Sequence, residues 1–149
     1  MQQRRTSGWG YRSTDLARNT LGVLSLNDRN LVLVVDDDLA ILGSLARVLK
    51  QHGYDTVLFR SAADFKGHTD FKMVVCIVLD IDLKDGSGIE LRHGLRAAGI
   101  SVPIIYMTGN DSPAVREAAL QSECLAYLTK PFSAPPLVEA VKRASAEPN

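Results

Sequence analysis

The sequence predicts an α/β protein in which a five-stranded parallel sheet is covered by helices on both faces. Two observations support this prediction. From Leu31 onward, short apolar runs alternate with amphipathic stretches five times, which is the pattern of repeated strand–helix units. In addition, residues 74–79 are apolar at every position, as expected of a central strand that is buried on both faces. The 149 residues suit a single domain.

The predicted strands are short runs rich in apolar and β-branched residues. In chain order they occupy residues 31–35, 54–59, 74–79, 102–107 and 125–129. Each run is followed by a stretch that we predict to be helical, and the first of these has apolar residues at the spacing of one helix face. In chain order the predicted helices occupy residues 39–51, 61–67, 89–98, 112–121 and 135–146.

Capping and breaking residues predict where these helices begin and end. Gly53 stops the first helix and Gly99 closes the third. Ser61 is suited to cap the second helix. Ser112 and Pro113 are suited to the cap and first turn of the fourth. Between the third strand and the third helix, residues 84–88 are predicted to form a polar, glycine-rich loop.

The composition excludes several classes of protein. Hydrophobic residues make up 46% and charged residues 23% of the chain, with 17 basic and 17 acidic side chains, so nothing in the overall charge indicates nucleic-acid binding. No segment has the roughly 18 to 20 consecutive apolar residues of a membrane span. Cys76 and Cys124 lack the spacing of a disulfide framework or zinc site. We therefore expect a cytoplasmic protein.

The first 29 residues differ from the remainder. They are rich in Arg, Ser, Thr, Gly and Asn and contain only a weak apolar cluster between residues 21 and 26. We expect a flexible N-terminal extension at residues 1–29 and one domain at residues 30–147. A short helix that docks on a partner is the alternative for the extension.

Polar residues follow the predicted strands at their carboxyl ends. Asp36 and Asp37 follow the first strand, Asp80 the third, Thr108 the fourth and Lys130 the fifth. Ligands of parallel α/β sheets bind at this edge, near the point where the strand order reverses. In the flavodoxin-like order 2-1-3-4-5, the first and third strands are neighbours at that point, so the three acids would converge.

Converging carboxylates repel one another unless a cation lies among them, and Mg²⁺ prefers oxygen ligands of this kind. Such an ion also neutralises the charge of a phosphoryl donor that an ionised Asp attacks as nucleophile. Lys130 adds a positive charge and Thr108 a hydroxyl donor. The arrangement therefore predicts a phosphoryl-transfer site. Asp38, the third acid of its run, is interpreted as a helix cap rather than a ligand.

Four short motifs resemble those of receiver domains of two-component response regulators. They are Val-Val-Asp-Asp-Asp at 34–38, Val-Leu-Asp-Ile-Asp-Leu at 78–83, Met-Thr-Gly at 107–109 and Lys-Pro-Phe at 130–132. Each motif is weak alone, but the ordered set at successive strand ends is specific, and the resemblance extends from about Leu31 to the last helix. It implies a flavodoxin-like doubly wound sheet with the order 2-1-3-4-5.

The resemblance also implies a role for each site residue. Asp80 would be the phospho-acceptor. Asp37 and Asp80 would bind Mg²⁺, or Mn²⁺, directly, Asp36 would act mainly through a water, and the backbone carbonyl of Asp82 would supply another ligand. Lys130 would pair with the phosphoryl group.

Two further residues would form the switch. Thr108 would move to hydrogen-bond the phosphoryl group, and Tyr127 would turn inward when Thr108 moves. A core aromatic without a switching role is the alternative for Tyr127. The Lys130–Pro131 peptide bond is usually cis in such domains.

Three departures from the family pattern affect these expectations. Lys84 replaces a proline commonly found four residues after the acceptor, which predicts a looser loop. Glu123 replaces a common glycine and would be strained if the backbone there has a positive φ. Asp82 and Asn110 lie at positions that tune hydrolysis in the family, so the lifetime of the phosphorylated form stays open.

The resemblance implies a sensor histidine kinase or histidine phosphotransfer protein as donor and a downstream protein as effector. It implies no membrane contact, and it allows a homodimer through the face formed by helix four, strand five and helix five. No helix-turn-helix can be fitted after residue 146, so we expect no direct nucleic-acid binding. Output then passes through another protein, unless the chain is one piece of a larger parent.

Two other functions compete with this prediction. Asp80-Ile81-Asp82 matches the Asp-x-Asp motif of haloacid dehalogenase-type phosphatases, but the following Leu83-Lys84 breaks that motif and little room remains for a cap domain. A pseudo-receiver that acts only as a protein-interaction module is the other alternative, and the complete set of acids, Thr and Lys argues against it. We expect a signalling domain that catalyses only its own phosphorylation and dephosphorylation.

Overall fold

The computed structural model describes residues 29–146, in which ten strands and helices alternate strictly apart from one short hairpin. The strands are β1 (Leu31–Val35), β2 (Asp55–Phe59), β3 (Val74–Asp80), β4 (Ile104–Thr108) and β5 (Ala126–Thr129). The helices are α1 (Leu39–Gln51), α2 (Ala62–Lys66), α3 (Gly88–Ala97), α4 (Pro113–Gln121) and α5 (Ala134–Ala146). All five strands are parallel in the order β2-β1-β3-β4-β5. The predicted fold class is confirmed.

The sheet separates two apolar layers. On one face, side chains of β1 and β3 such as Val34 and Val78 pack against α1 and α5. On the other face, side chains such as Leu33 and Ile77 pack against α2, α3 and α4. Every residue of β3 is buried, as the continuous apolar run predicted. Burial of both faces leaves the carboxyl edge of the strands as a place where polar side chains can lie outside the two apolar layers.

The predicted helix ends are observed with small shifts. Ser61 and Ser112 are the N-caps of α2 and α4, and Asp38 caps α1 by accepting from the backbone N–H groups of Ala40 and Ile41. Gly53 and Gly99 have positive φ angles of 89° and 79° just after α1 and α3. β4 begins at residue 104, two residues later than predicted, and the preceding Pro103 has no N–H with which to join the ladder.

The segment predicted as a plain polar loop is more ordered than expected. Asp82–Leu83 and Gly86–Ser87 form a two-residue antiparallel hairpin, and α3 begins directly afterwards at Gly88. The Gly88 N–H donates to the Ile81 carbonyl at 3.1 Å. A Cβ at Gly88 would lie 2.5 Å from the Asp80 carbonyl oxygen. The start of α3 is therefore pressed against the backbone of Asp80, where only glycine fits.

Part of the predicted domain division falls outside the structure. Residues 1–28 and 147–149 lie outside the described residues, so the extension at residues 1–29 stays a prediction, as does the domain end at residue 147. Among residues 29–146, no helix combines the length and apolarity that crossing a bilayer requires.

Gly88→Ala is expected to destabilise the protein by roughly 1–3 kcal/mol, because the new methyl group overlaps the Asp80 carbonyl. Gly94→Ala in the same helix is the matched control. No atom lies within 4 Å of a Cβ at Gly94, so this change should stabilise α3 by up to about 1 kcal/mol. Urea unfolding measures both effects, and equal stabilities of the two variants would contradict the proposed contact.

Candidate functional site

Three carboxylates meet at the carboxyl edge of neighbouring strands. Asp36 and Asp37 directly follow β1, and Asp80 is the last residue of β3. The register pairs Val35 with Leu79, so Asp36 comes to lie beside Asp80. One carboxylate oxygen from each of the three acids lies within 4.8 Å of the others. The convergence expected from the strand order is therefore present.

Backbone N–H groups hold these carboxylates in place. Asp36 Oδ1 accepts from the N–H of Asp38 at 2.9 Å, and Asp80 Oδ1 accepts from the N–H of Asp82 at 3.1 Å. Asp37 Oδ2 accepts from the N–H of Lys84 at 2.9 Å. Lys84 replaces a proline common in the resembled family, and proline has no N–H to donate. The replacement that predicted a looser loop therefore adds a bond to one of the acids.

Lys130 supplies the ammonium group among these acids. Its Nζ donates to Asp36 Oδ2 at 2.7 Å and to Asp80 Oδ2 at 3.2 Å. Its backbone N–H donates to the Thr108 carbonyl at 2.7 Å, which ties the end of β5 to the end of β4. The peptide bond between Lys130 and Pro131 is cis, as the resemblance implied. Burial alone lowers the pKa of Lys130. The hydrogen bond to Asp36 and the charges of Asp80 and Asp36 outweigh this effect and raise the pKa of Lys130 above its ordinary value.

The electrostatics of the cluster favour an additional cation. Asp36 is 0% and Asp80 3% exposed. Burial, and next the charge of Asp36, raises the pKa of Asp80 from 3.8 to about 6, and Lys130 offsets only part of this effect. Three carboxylates with one ammonium leave an excess of two negative charges when all groups are ionised. An all-oxygen, electron-rich cluster of this kind fits a divalent cation such as Mg²⁺ or Mn²⁺.

Thr108 lies at this edge but does not donate to the acids of the cluster. It is 0% exposed, and its hydroxyl donates to Asp82 Oδ2 at 2.9 Å. The Thr108 hydroxyl oxygen in turn accepts from the backbone N–H of Asn110 at 2.9 Å. The sequence had suggested a ligand role for the Asp82 backbone carbonyl, whereas the contact of its side chain with Thr108 was not predicted. No sequence pattern specifies such a contact, because it depends on side-chain orientation across two strands.

Tyr127 is the second residue of β5 and is half-buried. Its ring packs on the core layer that contains Leu33, and its hydroxyl donates to Asp111 Oδ1 at 3.0 Å. The guanidinium of Arg116 lies 4.7 Å from the ring centroid and donates to Asp111 Oδ2 at 2.9 Å. Tyr127 therefore contacts both the core layer and exposed side chains of α4 and the loop before it.

Glu123 adopts the backbone conformation that the sequence identified as costly. Its φ is 64°, in the left-handed region that favours glycine. The carbonyl oxygens of Ser122 and Glu123 accept from the guanidinium groups of Arg92 and Arg96, and Arg96 also contacts the Glu123 carboxylate at 2.9 Å. These contacts with α3 hold the turn after α4 despite the strain.

Comparisons with known proteins agree on one family. The sequence-family model described as the response regulator receiver domain matches residues 32–142 of this chain. The response regulator protein TodT of Pseudomonas putida is 27% identical over 124 residues, covering 83% of this chain and 55% of the relative. The chain thus spans about half the length of that relative.

Solved structures give the same result. A CheY-like response regulator receiver domain protein from Methanospirillum hungatei JF-1 is 29% identical with a TM-score of 0.69, covering 78% of this chain and 93% of that one. The beryllofluoride-activated NtrC4 receiver domain dimer is 27% identical with a TM-score of 0.71, covering 76% and 94%.

Asp80→Asn is expected to stabilise the metal-free protein at about pH 7 by roughly 1–3 kcal/mol. The folded-state pKa of Asp80, about 6, lies above its ordinary 3.8, so the folded protein binds this proton more tightly and loses stability as the pH rises through that interval. A neutral amide avoids this loss, and the gain should vanish near pH 3.5, roughly. Urea unfolding in EDTA across this range measures it.

Magnesium provides the control for this prediction. Added Mg²⁺ should stabilise the wild type more than Asp80→Asn, because the ion compensates the charge that the amide lacks. A variant that is less stable than the wild type at every pH would contradict the assigned electrostatics.

Proposed function

We propose, since this chain belongs to the family of response regulator receiver domains, that Asp80 accepts a phosphoryl group from a histidine of a partner protein in a divalent-cation-dependent reaction. The single observation that carries the proposal is the convergence of Asp36, Asp37 and Asp80 with the Lys130 ammonium at one sheet edge. The family is a signalling module of two-component systems. These residues are suited to the transfer of a phosphoryl group onto a carboxylate.

The transfer replaces one bond to phosphorus by another. A carboxylate oxygen of Asp80 attacks the phosphorus atom and the phosphorus–nitrogen bond to the donor histidine breaks. The imidazole, which carries a proton on its other ring nitrogen, leaves as a neutral group with the electron pair of that bond. No base is needed because a carboxylate that has lost its proton is already the nucleophile. With a pKa of about 6, Asp80 is mostly ionised at neutral pH.

The remaining groups manage charge. Lys130, which donates to both Asp36 and Asp80, can pair with a phosphoryl oxygen without leaving the cluster. Asp36, Asp37, Asp80 and the backbone carbonyl of Asp82 would hold a divalent cation, which would supply the further positive charge that an anionic donor requires. We assign Asp36 a mainly water-mediated contact to the ion.

The output of the proposed reaction is a change of surface. Thr108 leaves its present partner to donate to the phosphoryl group, and Tyr127 turns inward in response. The affected face consists of α4, β5 and α5, through which a downstream protein or a second copy of the chain binds. The beryllofluoride-activated NtrC4 receiver domain is a dimer, which supports the second mode.

The donor in this proposal is a sensor histidine kinase or a histidine phosphotransfer protein, and the domain catalyses only its own phosphorylation and dephosphorylation. We propose no direct contact of the domain with nucleic acid or membrane. A reducing cytoplasm is the proposed location, in keeping with Cys76 and Cys124 as free thiols. We take residues 30–147 as the receiver domain and residues 1–29 as its extension.

Incubation with acetyl phosphate tests the proposal. The wild type is expected to incorporate close to one phosphoryl group per chain with Mg²⁺ and almost none in EDTA, because the uncompensated acids repel the donor. Asp80→Asn removes the nucleophile and should not be labelled under either condition. Intact mass spectrometry measures the incorporation.

Asp38→Asn is the matched control. Asp38 belongs to the same acidic run but caps α1, and Asn caps helices equally well, so this variant should be labelled like the wild type. Labelling of Asp80→Asn equal to the wild type would exclude Asp80 as the acceptor. Failure of the wild type to label would favour a protein-interaction module, and sustained hydrolysis of a phosphomonoester would favour a phosphatase.

A further inference from the structure

We infer that the Asp82 side chain is a positioning residue that keeps the Thr108 hydroxyl turned away from Asp80 until phosphorylation occurs. The inference rests on the proposed function and extends it, because it assigns the cost of the switch to one side-chain contact. Thr108 Oγ1 donates to Asp82 Oδ2 at 2.9 Å. A hydroxyl has only one proton to donate, so Thr108 cannot donate to a phosphoryl group while this bond persists.

The position of Asp82 is set by the reaction site itself. Its backbone N–H donates to Asp80 Oδ1 at 3.1 Å, and its backbone pairs with Ser87 in the short hairpin. That hairpin leads into Gly88, whose close approach to the Asp80 carbonyl fixes the start of α3. The same stretch of backbone thus holds both Asp82, the hydrogen-bond acceptor of Thr108, and Asp80, the proposed phospho-acceptor. The distance between these two residues can therefore change little.

Charge makes the contact sensitive to phosphorylation. Asp82 is exposed and lies outside the group formed by Asp36, Asp37 and Asp80. A phosphoryl group on Asp80 adds negative charge two residues away from the Asp82 carboxylate. The two negative groups repel each other, which disfavours the present position of the Asp82 side chain. The phosphoryl oxygens also compete for the Thr108 proton. Phosphorylation therefore weakens the existing bond and offers Thr108 a new acceptor at the same time.

The Thr108 hydroxyl is also connected to the surface face. It accepts from the backbone N–H of Asn110 at 2.9 Å, and the adjacent Asp111 accepts from the Tyr127 hydroxyl at 3.0 Å and from Arg116. A change in the position of Thr108 therefore removes a restraint from the loop that holds Tyr127. This continuous set of bonds gives Asp82 a route to the α4–β5–α5 face.

Two substitutions separate the lost hydrogen bond from the lost charge. Asp82→Ala and Asp82→Asn both remove the negative charge and both retain the backbone carbonyl. Only Asn keeps an acceptor for the Thr108 hydroxyl. In isothermal titration with beryllofluoride and Mg²⁺, Asp82→Ala should therefore bind this acyl-phosphate mimic about 5-fold more tightly than Asp82→Asn, as expected when one hydrogen bond no longer has to be broken.

A double-mutant cycle tests whether the effect passes through Thr108. In a Thr108→Val background, which keeps the β-branched shape but lacks the proton donor, the two Asp82 variants should bind beryllofluoride equally. A metal-free readout complements this experiment. The amide resonance of Asn110 in NMR spectra should move further from its wild-type position in Asp82→Ala than in Asp82→Asn.

The outcomes distinguish this inference from the proposed function. If the wild type binds beryllofluoride and is labelled, but Asp82→Ala and Asp82→Asn have equal affinities, the positioning role is excluded and the phosphorylation site stands. A difference that persists in the Thr108→Val background would also exclude it. If the wild type neither binds beryllofluoride nor is labelled, the proposed function fails and this inference fails with it.

Discussion

Mutual repulsion among carboxylates at one edge of a buried sheet is the constraint around which the site is built. Asp36, Asp37 and Asp80 lie together because β1 and β3 are hydrogen-bonded neighbours, and a single ammonium group from Lys130 compensates them only in part. The fold maintains this unfavourable arrangement through the apolar layers on either side of the sheet. Any species that brings positive charge stabilises such a cluster. The uncompensated negative charge of the three carboxylates therefore determines which ligands the cluster can bind.

Around this cluster, the loops that follow the strands are bonded to the acids rather than free of them. The N–H groups of Asp38, Asp82 and Lys84 each donate to a different carboxylate. A change in the charge or occupancy of the cluster would therefore act on two connecting segments, the one between β1 and α1 and the one between β3 and α3. In the proposed function, these bonds would transmit phosphorylation of the buried Asp80 to the surface, since interfaces in packed proteins shift between discrete arrangements.

The side chains of Thr108 and Lys130 make different contacts at this edge of the sheet. The Lys130 ammonium faces the acids, while the Thr108 hydroxyl faces away from them toward Asp82 and Asn110. The Lys130 side chain thus contacts the carboxylate cluster and the Thr108 side chain contacts Asp82 and Asn110, although the two residues share a backbone hydrogen bond between strand ends. In the proposed function, their close spacing would couple phosphorylation to the surface without a large rearrangement of the sheet.

The sequence by itself determined the strand–helix alternation, the buried central strand and the caps at Ser61 and Ser112, because periodicity and capping are properties of short segments. It also placed the candidate site residues at strand ends. Only the tertiary structure decided which of them touch, including the partner of Thr108, the Asp82–Ser87 hairpin and the need for glycine at residue 88. These features depend on atoms that approach through space from distant segments, and local sequence patterns carry no information about such approaches.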